Sequence, residues 1–144
     1  IYEKALGAVA KSGSSPLVAV YGYAEPVLEH GLAFMNTPGF DPVSVTGQVA
    51  GGCNLILFTT GRGSAFGFKP APSIKIASNS ALFRHMTGDI DFDAGRLLSD
   101  TRMAQLAAEL LDMAIAVASG QPSKSEAQGI GEAEFSPWHL GEML

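Results

Sequence analysis

Three strand-length segments rich in apolar residues divide the first half of the chain, with helical or loop sequence between them. They are Leu32–Met35, residues 55–58 and Ser73–Ala77, and Leu17–Tyr21 is a further strand candidate ahead of them. Strands without a polar face are typical of parallel sheets, which are covered on both sides. Because parallel neighbours also need long crossover connections, the pattern predicts an α/β fold, a Rossmann-like parallel sheet with flanking helices.

Apolar residues at helical spacing predict two helices, one before and one after these strands, and cap and turn residues predict two more. Cap and turn residues define their ends: we expect Asp41 to cap the second helix with Pro42 at its first position, and Asn79 or Ser80 to cap the third. The predicted helices cover residues 2–11, 42–50, 81–86 and 101–119.

Length and charge narrow the function classes. The chain has 144 residues, a formal net charge of −5 and a single cysteine, Cys53. This length is enough for one domain to fold without disulfides or metals. The acidic balance argues against a nucleic-acid partner. No apolar run approaches the roughly 20 residues that cross a bilayer, and no signal-peptide pattern is present, so we expect no membrane partner and a cytoplasmic location.

Charge is distributed unevenly along the chain. Residues 31–80 contain one acidic side chain, Asp41, and three basic ones, Arg62, Lys69 and Lys75, against an acidic background elsewhere. A slightly basic centre suits an anionic small molecule. A buried core is the alternative, since charged residues are depleted in any core.

Polar and glycine residues follow three of the predicted strands, at residues 36–41, 59–64 and 78–80. Ligands of open parallel sheets bind beyond the carboxyl ends of the strands. Gly61 and Gly63 flank Arg62, so the backbone can approach a ligand closely while the guanidinium binds a carboxylate through two hydrogen bonds. For any single loop, ordinary turn chemistry is a sufficient alternative.

Two blocks of the stretch from Gly31 to Lys75 are distinctive: Thr-Gly-Gln-Val-Ala-Gly-Gly at 46–52 and Phe-Thr-Thr-Gly-Arg-Gly at 58–63. They closely resemble the C-terminal region of the altronate dehydratase / galactarate dehydratase family, and Glu-Phe-Ser-Pro-Trp at 134–138 is more similar to the altronate branch. Members of this family are much longer. The resemblance therefore implies that residues 1–144 are a single-domain C-terminal portion of a larger catalytic region. Within it, apolar residues such as Phe135 and Trp138 predict that residues 121–144 form a packed tail.

The resemblance implies a hydro-lyase that depends on Fe(II) or another divalent metal and acts on a small-molecule sugar acid. Such an enzyme removes the proton next to the carboxylate, expels the β-hydroxyl as water and yields a 2-keto-3-deoxy acid. A homo-oligomer is expected for the full-length protein. Two alternatives stay open: a sulfo-lyase of the same family, in which sulfite departs, and a module that is not catalytic in isolation.

We predict that Arg62 and Thr60 are catalytic, and that Arg62 holds the substrate carboxylate together with the backbone at Gly61 and Gly63. The other candidates carry hydroxyl or amide groups suited to sugar hydroxyls. They are Thr37, Thr46, Gln48 and Thr59.

The metal ligands do not follow from the sequence. Asp89 and Asp91 are candidates because carboxylates alternate through Asp93, a donor set suited to a hard cation, and His30 is a third candidate near the strand region. The family usually reads Asp-Met-Asp-Ile-Asn followed by Cys or Ala, so Asp93 departs from its pattern. A solvated acidic loop or a helix cap is the alternative. Cys53 is expected to be a buried, inert thiol.

Overall fold

The computed structural model describes residues 2–99 and 101–139. Strands and helices are interspersed through the first two thirds of the chain, and helices follow. The elements in order are α1 (Tyr2–Lys11), β1 (Leu17–Tyr21), β2 (Leu32–Met35), α2 (Asp41–Ala50), β3 (Ile56–Thr60), β4 (Ser73–Ala77), α3 (Ser80–His85), β5 (Phe92–Asp93), a 3-10 helix (Ala94–Leu98), α4 (Met103–Ala118) and α5 (Lys124–Ala127).

All strand pairs in the described ranges are parallel, as the apolar runs predict. β1 pairs with β2, and β4 lies between β3 and β5. The α/β class is confirmed, whereas the Rossmann-like arrangement is not, because the strands form one sheet of two and one of three. β5 lies within the acidic run and has only two residues, so no apolar periodicity marks it.

The central strand β4 forms the middle of the core, and each of its five residues is buried. Ile74 and Ile76 pack on one side against Phe92 of β5 and against Leu106 and Val117 of α4. A second cluster, formed by α2, β3 and the loop before β4, comprises Val45, Ile56, Phe66, Phe68 and Ala71. Because burial of one aliphatic side chain stabilises the fold by about 1.5–3 kcal/mol, the three-stranded sheet is the stable part of the molecule.

Two predicted helix caps have different outcomes. The cap of α3 is Asn79, whose Oδ1 accepts the Leu82 N–H at 2.8 Å. The predicted Asp41 cap is wrong: α2 begins at Asp41, its N-cap residue is Phe40, and no side chain caps it. The Phe40 carbonyl accepts the Ser44 N–H at 2.9 Å, so the first helical hydrogen bond starts one residue earlier. The Asp41 carboxylate lies in the first turn, where the helix dipole favours it.

Asp91 connects the central sheet to the segment after α4. One carboxylate oxygen accepts the Lys75 N–H of β4 at 2.7 Å, and the other accepts the Lys124 N–H of α5 at 2.8 Å. The Lys124 ammonium in turn donates to the Ile90 carbonyl at 2.6 Å. Two hydrogen bonds donated by Lys124, one from its backbone and one from its side chain, therefore hold α5 against the segment that leads into β5.

Contacts of the remaining tail reach α2 and its neighbours. The Ser136 N–H donates to Thr46 Oγ1 at 3.0 Å, and the Trp138 ring meets the Tyr23 ring edge-on with centroids 5.4 Å apart. Across residues 2–99 and 101–139, no helix has the length and apolar character needed to cross a membrane.

Replacing Asp91 with asparagine is expected to lower the free energy of unfolding by about 2 kcal/mol, because the amide keeps one acceptor and turns an N–H group towards a backbone donor. Urea unfolding measures the change. Asp112→Asn, at an exposed position of α4, is the matched control and should leave stability unchanged. Equal stability of both variants would contradict the role assigned to Asp91.

Candidate functional site

The carboxyl ends of β3, β4 and β5 lie at one edge of the three-stranded sheet. Thr60 is paired with Ala77, and Ala77 with Asp93, so the loops that follow start side by side. The polar strand ends at 59–64 and 78–80 therefore lie at the same edge of the sheet. The third predicted loop, at residues 36–41, follows β2 and belongs to the other sheet.

The loop that carries Arg62 has a defined turn. Thr60 Oγ1 accepts the Gly63 N–H at 3.0 Å. Gly63 has φ +101°, and a Cβ there would collide with Met86. The residue after Arg62 must therefore be glycine. Arg62 itself is exposed, so its guanidinium is free to meet a ligand at this edge.

Three further residues complete the edge. Asn79 Nδ2 donates to the Gly61 carbonyl at 3.2 Å and ties the two loops together. Ser80 Oγ donates to Asp93 Oδ1 at 3.0 Å. Sequence reasoning places Asn79 and Ser80 in a polar strand end and Asp93 in an acidic run, yet names none of them as a site residue. For Asn79 and Ser80, the position after a predicted strand was the available signal.

A second polar cluster lies where β2 leads into α2. Thr37 Oγ1 and Ser44 Oγ are 2.7 Å apart and share one hydrogen bond, and Gln48 Nε2 donates to Ser44 Oγ at 3.2 Å. Thr37 and Gln48 are predicted site residues, and Ser44 joins them. Ser44 lies four residues before Gln48 on α2, the spacing that brings side chains together on one helix face.

Gln48 borders two cavities. The larger, about 490 Å³, also has Thr37, Tyr21, Met35 and Cys53 in its wall. The smaller, about 230 Å³, lies on the β3 side and includes Ser44 and Thr59. The serine, threonine and glutamine side chains that line the two cavities therefore come from α2, from β3 and from the segment between β2 and α2. The larger volume lies within the range of sites that bind small molecules.

Thr46 differs from the other candidates. It is buried, and its hydroxyl oxygen accepts the Ser136 N–H. The structure gives Thr46 a contact with the tail rather than a place in either cavity wall. His30 is exposed in the connection between β1 and β2.

Comparison with known proteins gives the same family for the whole chain. The family described as "D-galactarate/Altronate dehydratase, C-terminal" matches residues 1–143. The chain belongs to this family. Altronate dehydratase of Escherichia coli (strain K12) is 39% identical over 124 residues, which are 86% of this chain and 25% of that protein.

Two further relatives agree. Altronate dehydratase of Bacillus subtilis (strain 168) is 38% identical over 120 residues, 83% of this chain and 24% of that protein. Galactarate dehydratase (L-threo-forming) of Escherichia coli (strain K12) is 35% identical over 122 residues, 84% of this chain and 23% of that protein. The chain thus spans about a quarter of the length of these curated dehydratases.

One candidate metal ligand of this dehydratase-family chain, Asp91, has other partners. Both of its carboxylate oxygens accept backbone N–H groups. Within the described ranges, no three His, Cys, Asp or Glu side chains come together as a metal site would require. The described residues alone do not fit a metal centre.

Lys75 is fully buried at 0% exposure on the central strand. Among the residues that the structure describes, its Nζ and Ser73 Oγ are the buried side-chain atoms without a hydrogen-bond partner. Burial lowers the pKa of the Lys75 ammonium, and Lys124 adds to this effect, whereas Asp89 and Asp91 oppose it. The folded chain therefore disfavours the charged form of Lys75.

Lys75→Met is expected to raise the free energy of unfolding near neutral pH, since it removes a buried charge without a partner. The pKa of Lys75 is lower in the folded chain than its ordinary value of 10.5. The unfolded chain therefore binds more protons between these two values, and stability of the natural chain rises with pH across that interval. The variant should lose this rise. Urea unfolding at several alkaline pH values measures it.

Lys69→Met is the matched control, because Lys69 is exposed and paired with Glu132. We expect this variant to keep the alkaline rise in stability. If Lys75→Met kept it as well, the assignment of the rise to Lys75 would be wrong.

Proposed function

We propose that this chain forms the C-terminal part of a sugar-acid dehydratase of the altronate type. The reaction takes the proton next to the carboxylate, expels the β-hydroxyl as water and gives a 2-keto-3-deoxy acid after tautomerisation. Family membership supports the reaction class. The observation that carries the proposal is the exposed Arg62 on a glycine-flanked turn at the carboxyl edge of the three-stranded sheet.

Arg62 suits the electrostatic demand of this reaction. Removal of the α-proton moves negative charge onto the substrate carboxylate as an enediolate forms. A guanidinium bound to both carboxylate oxygens stabilises this additional charge in the transition state more strongly than it stabilises the carboxylate of the ground state, which lowers the activation barrier. The turn held by Thr60 and Gly63 gives Arg62 a fixed starting point at the sheet edge.

We propose that the second polar cluster binds the hydroxyl groups along the carbon chain of the substrate. Gln48 donates one N–H to Ser44, which fixes the orientation of its amide beside both cavities. Thr37 and Thr59 add hydroxyl groups to the walls. Hydroxyl and amide groups can both donate and accept hydrogen bonds, as a polyhydroxylated ligand requires.

The Fe(II) or other divalent metal enters the proposal through the family alone. Since the described residues do not form a metal site, we propose that the ligands come wholly or mostly from polypeptide that the longer relatives possess and this chain does not cover. We propose the same origin for the general base that removes the α-proton. Isolated residues 1–144 are therefore proposed to bind substrate weakly and not to turn it over.

Assay of the protein expressed from its complete reading frame tests the proposed function. Altronate, galactarate and sulfolactate are offered under reducing conditions with Fe(II). Release of a 2-keto-3-deoxy acid from a sugar acid supports the dehydratase proposal. Sulfite release from sulfolactate, without dehydration of either sugar acid, would favour the sulfo-lyase alternative instead.

Arg62→Ala in that enzyme is expected to lower kcat/KM roughly 10- to 100-fold, the cost of losing charge-assisted hydrogen bonds to the carboxylate. Arg62→Lys should recover part of the loss because it keeps the charge but not the paired geometry. Arg84→Ala removes an exposed arginine on α3 and is the control. An unchanged kcat/KM in Arg62→Ala would contradict the assignment of Arg62 to the substrate carboxylate.

Gln48→Ala is expected to raise KM by about tenfold and to change kcat less, because a hydroxyl contact is made in both ground and transition states. Steady-state kinetics at saturating metal separates the two constants. Gln121→Ala, at an exposed position after α4, provides the comparison. A selective fall in kcat with constant KM would contradict the binding role of Gln48.

A further inference from the structure

The outward face of the two-stranded sheet is apolar and uncovered. Val20 of β1 lies opposite Phe34 of β2, and these side chains are 65% and 56% exposed. The next pair, Tyr21 and Met35, points to the other side, where Tyr21 is buried. We call the surface formed by Val20 and Phe34 the outer face.

This sheet is incomplete as a structural unit. Parallel sheets are normally covered on both faces, and two strands alone are marginally stable in water. Here Leu17 and Val18 of β1 are exposed in addition to the outer face. The three-stranded sheet shows the usual arrangement, because side chains of α4 cover one side and the loop before β4 covers the other.

Apolar residues are also exposed on α1, the helix that precedes β1 in the chain. Tyr2, Leu6 and Val9 are each more than half exposed, although their spacing defines one helix face. Large apolar groups left exposed on a sheet face are typical of a surface that another part of a protein covers.

We propose that the outer face is covered by the polypeptide that precedes this region in full-length members of the family. The chain corresponds to 23–25% of the length of the relatives and matches a family described as C-terminal, so about three quarters of a full-length dehydratase lies elsewhere. Parallel sheets acquire their covering helices from crossover segments of the same chain, which favours this occupant over a second copy. The proposal rests on family membership. Phe34 also lines the cavity of about 490 Å³ beside Gln48, so the tests measure coverage of the sheet and do not use turnover as their readout.

Cysteine labelling of the protein from its complete reading frame tests coverage. Val20→Cys and the control Gln121→Cys occupy positions that are both exposed in this chain, and the control replaces a polar residue. Maleimide labelling is followed at each site by peptide mass spectrometry. We expect labelling at position 20 to be slower than at position 121 by on the order of tenfold, because only the former is covered. Equal rates would overturn the proposal.

Cross-linking identifies the occupant. A benzophenone analogue of phenylalanine is placed at position 34, and the sample is irradiated. A cross-link within one polypeptide, to residues that precede this region, supports the proposal. A product of twice the mass, joined to a second copy, overturns it, as does the absence of any cross-link.

Hydrogen exchange of the unsubstituted protein guards against variants that fail to fold. Amides of β1 and β2 should exchange at least about tenfold more slowly in the complete protein than in the isolated 144-residue chain, since covering a sheet raises its local stability. Amides of β4 serve as the internal reference. The same relative protection of β1 and β2 in both samples would overturn the proposal, whatever the enzyme assay shows.

Discussion

The carboxylate of Asp91 is the interaction on which the rest of this structure depends. It accepts one backbone N–H from the central strand and one from α5, so a single side chain joins the sheet to the segment that follows α4. A carboxylate with both oxygens bonded to amides is worth more than a typical neutral hydrogen bond. The same bonds explain why an acidic run suited to a metal by composition serves as a structural tie here.

Much of the fold could be predicted from local sequence, and the exceptions have a common cause. β4 and the Asn79 cap are set by residues within one turn or strand, and both are where the sequence predicts them. β5 has two residues and exists because β4 offers it a partner. The Asp41 cap failed because the Phe40 carbonyl already accepts the first helical bond. Pairing with a distant strand and hydrogen bonding of a backbone carbonyl leave no periodic pattern in the sequence from which they could be predicted.

The candidate site shows the same division. The turn at Gly61, Arg62 and Gly63 could be predicted from sequence because turn chemistry is local, and it follows a strand of the three-stranded sheet. Thr37 lies apart from them because the sheet to which a strand belongs is decided by distant residues. Ser44 was missed although helical spacing relates it to Gln48, and Thr46 carries a hydroxyl whose use by the tail no local pattern reveals.

The hydrogen bond between Ser136 and Thr46 gives the tail a role beyond packing. α2 presents Ser44 and Gln48 to the cavities, while Thr46, on the same helix, is fastened to the polypeptide chain 90 residues later. Thermal displacement of α2 must therefore also move the tail or break this bond. The tail thereby restrains α2, and with it the amide of Gln48, when the chain folds. The entropy cost of ordering that amide is then not incurred again at each binding event. The tail does this although it lines no part of the cavity beside Thr59.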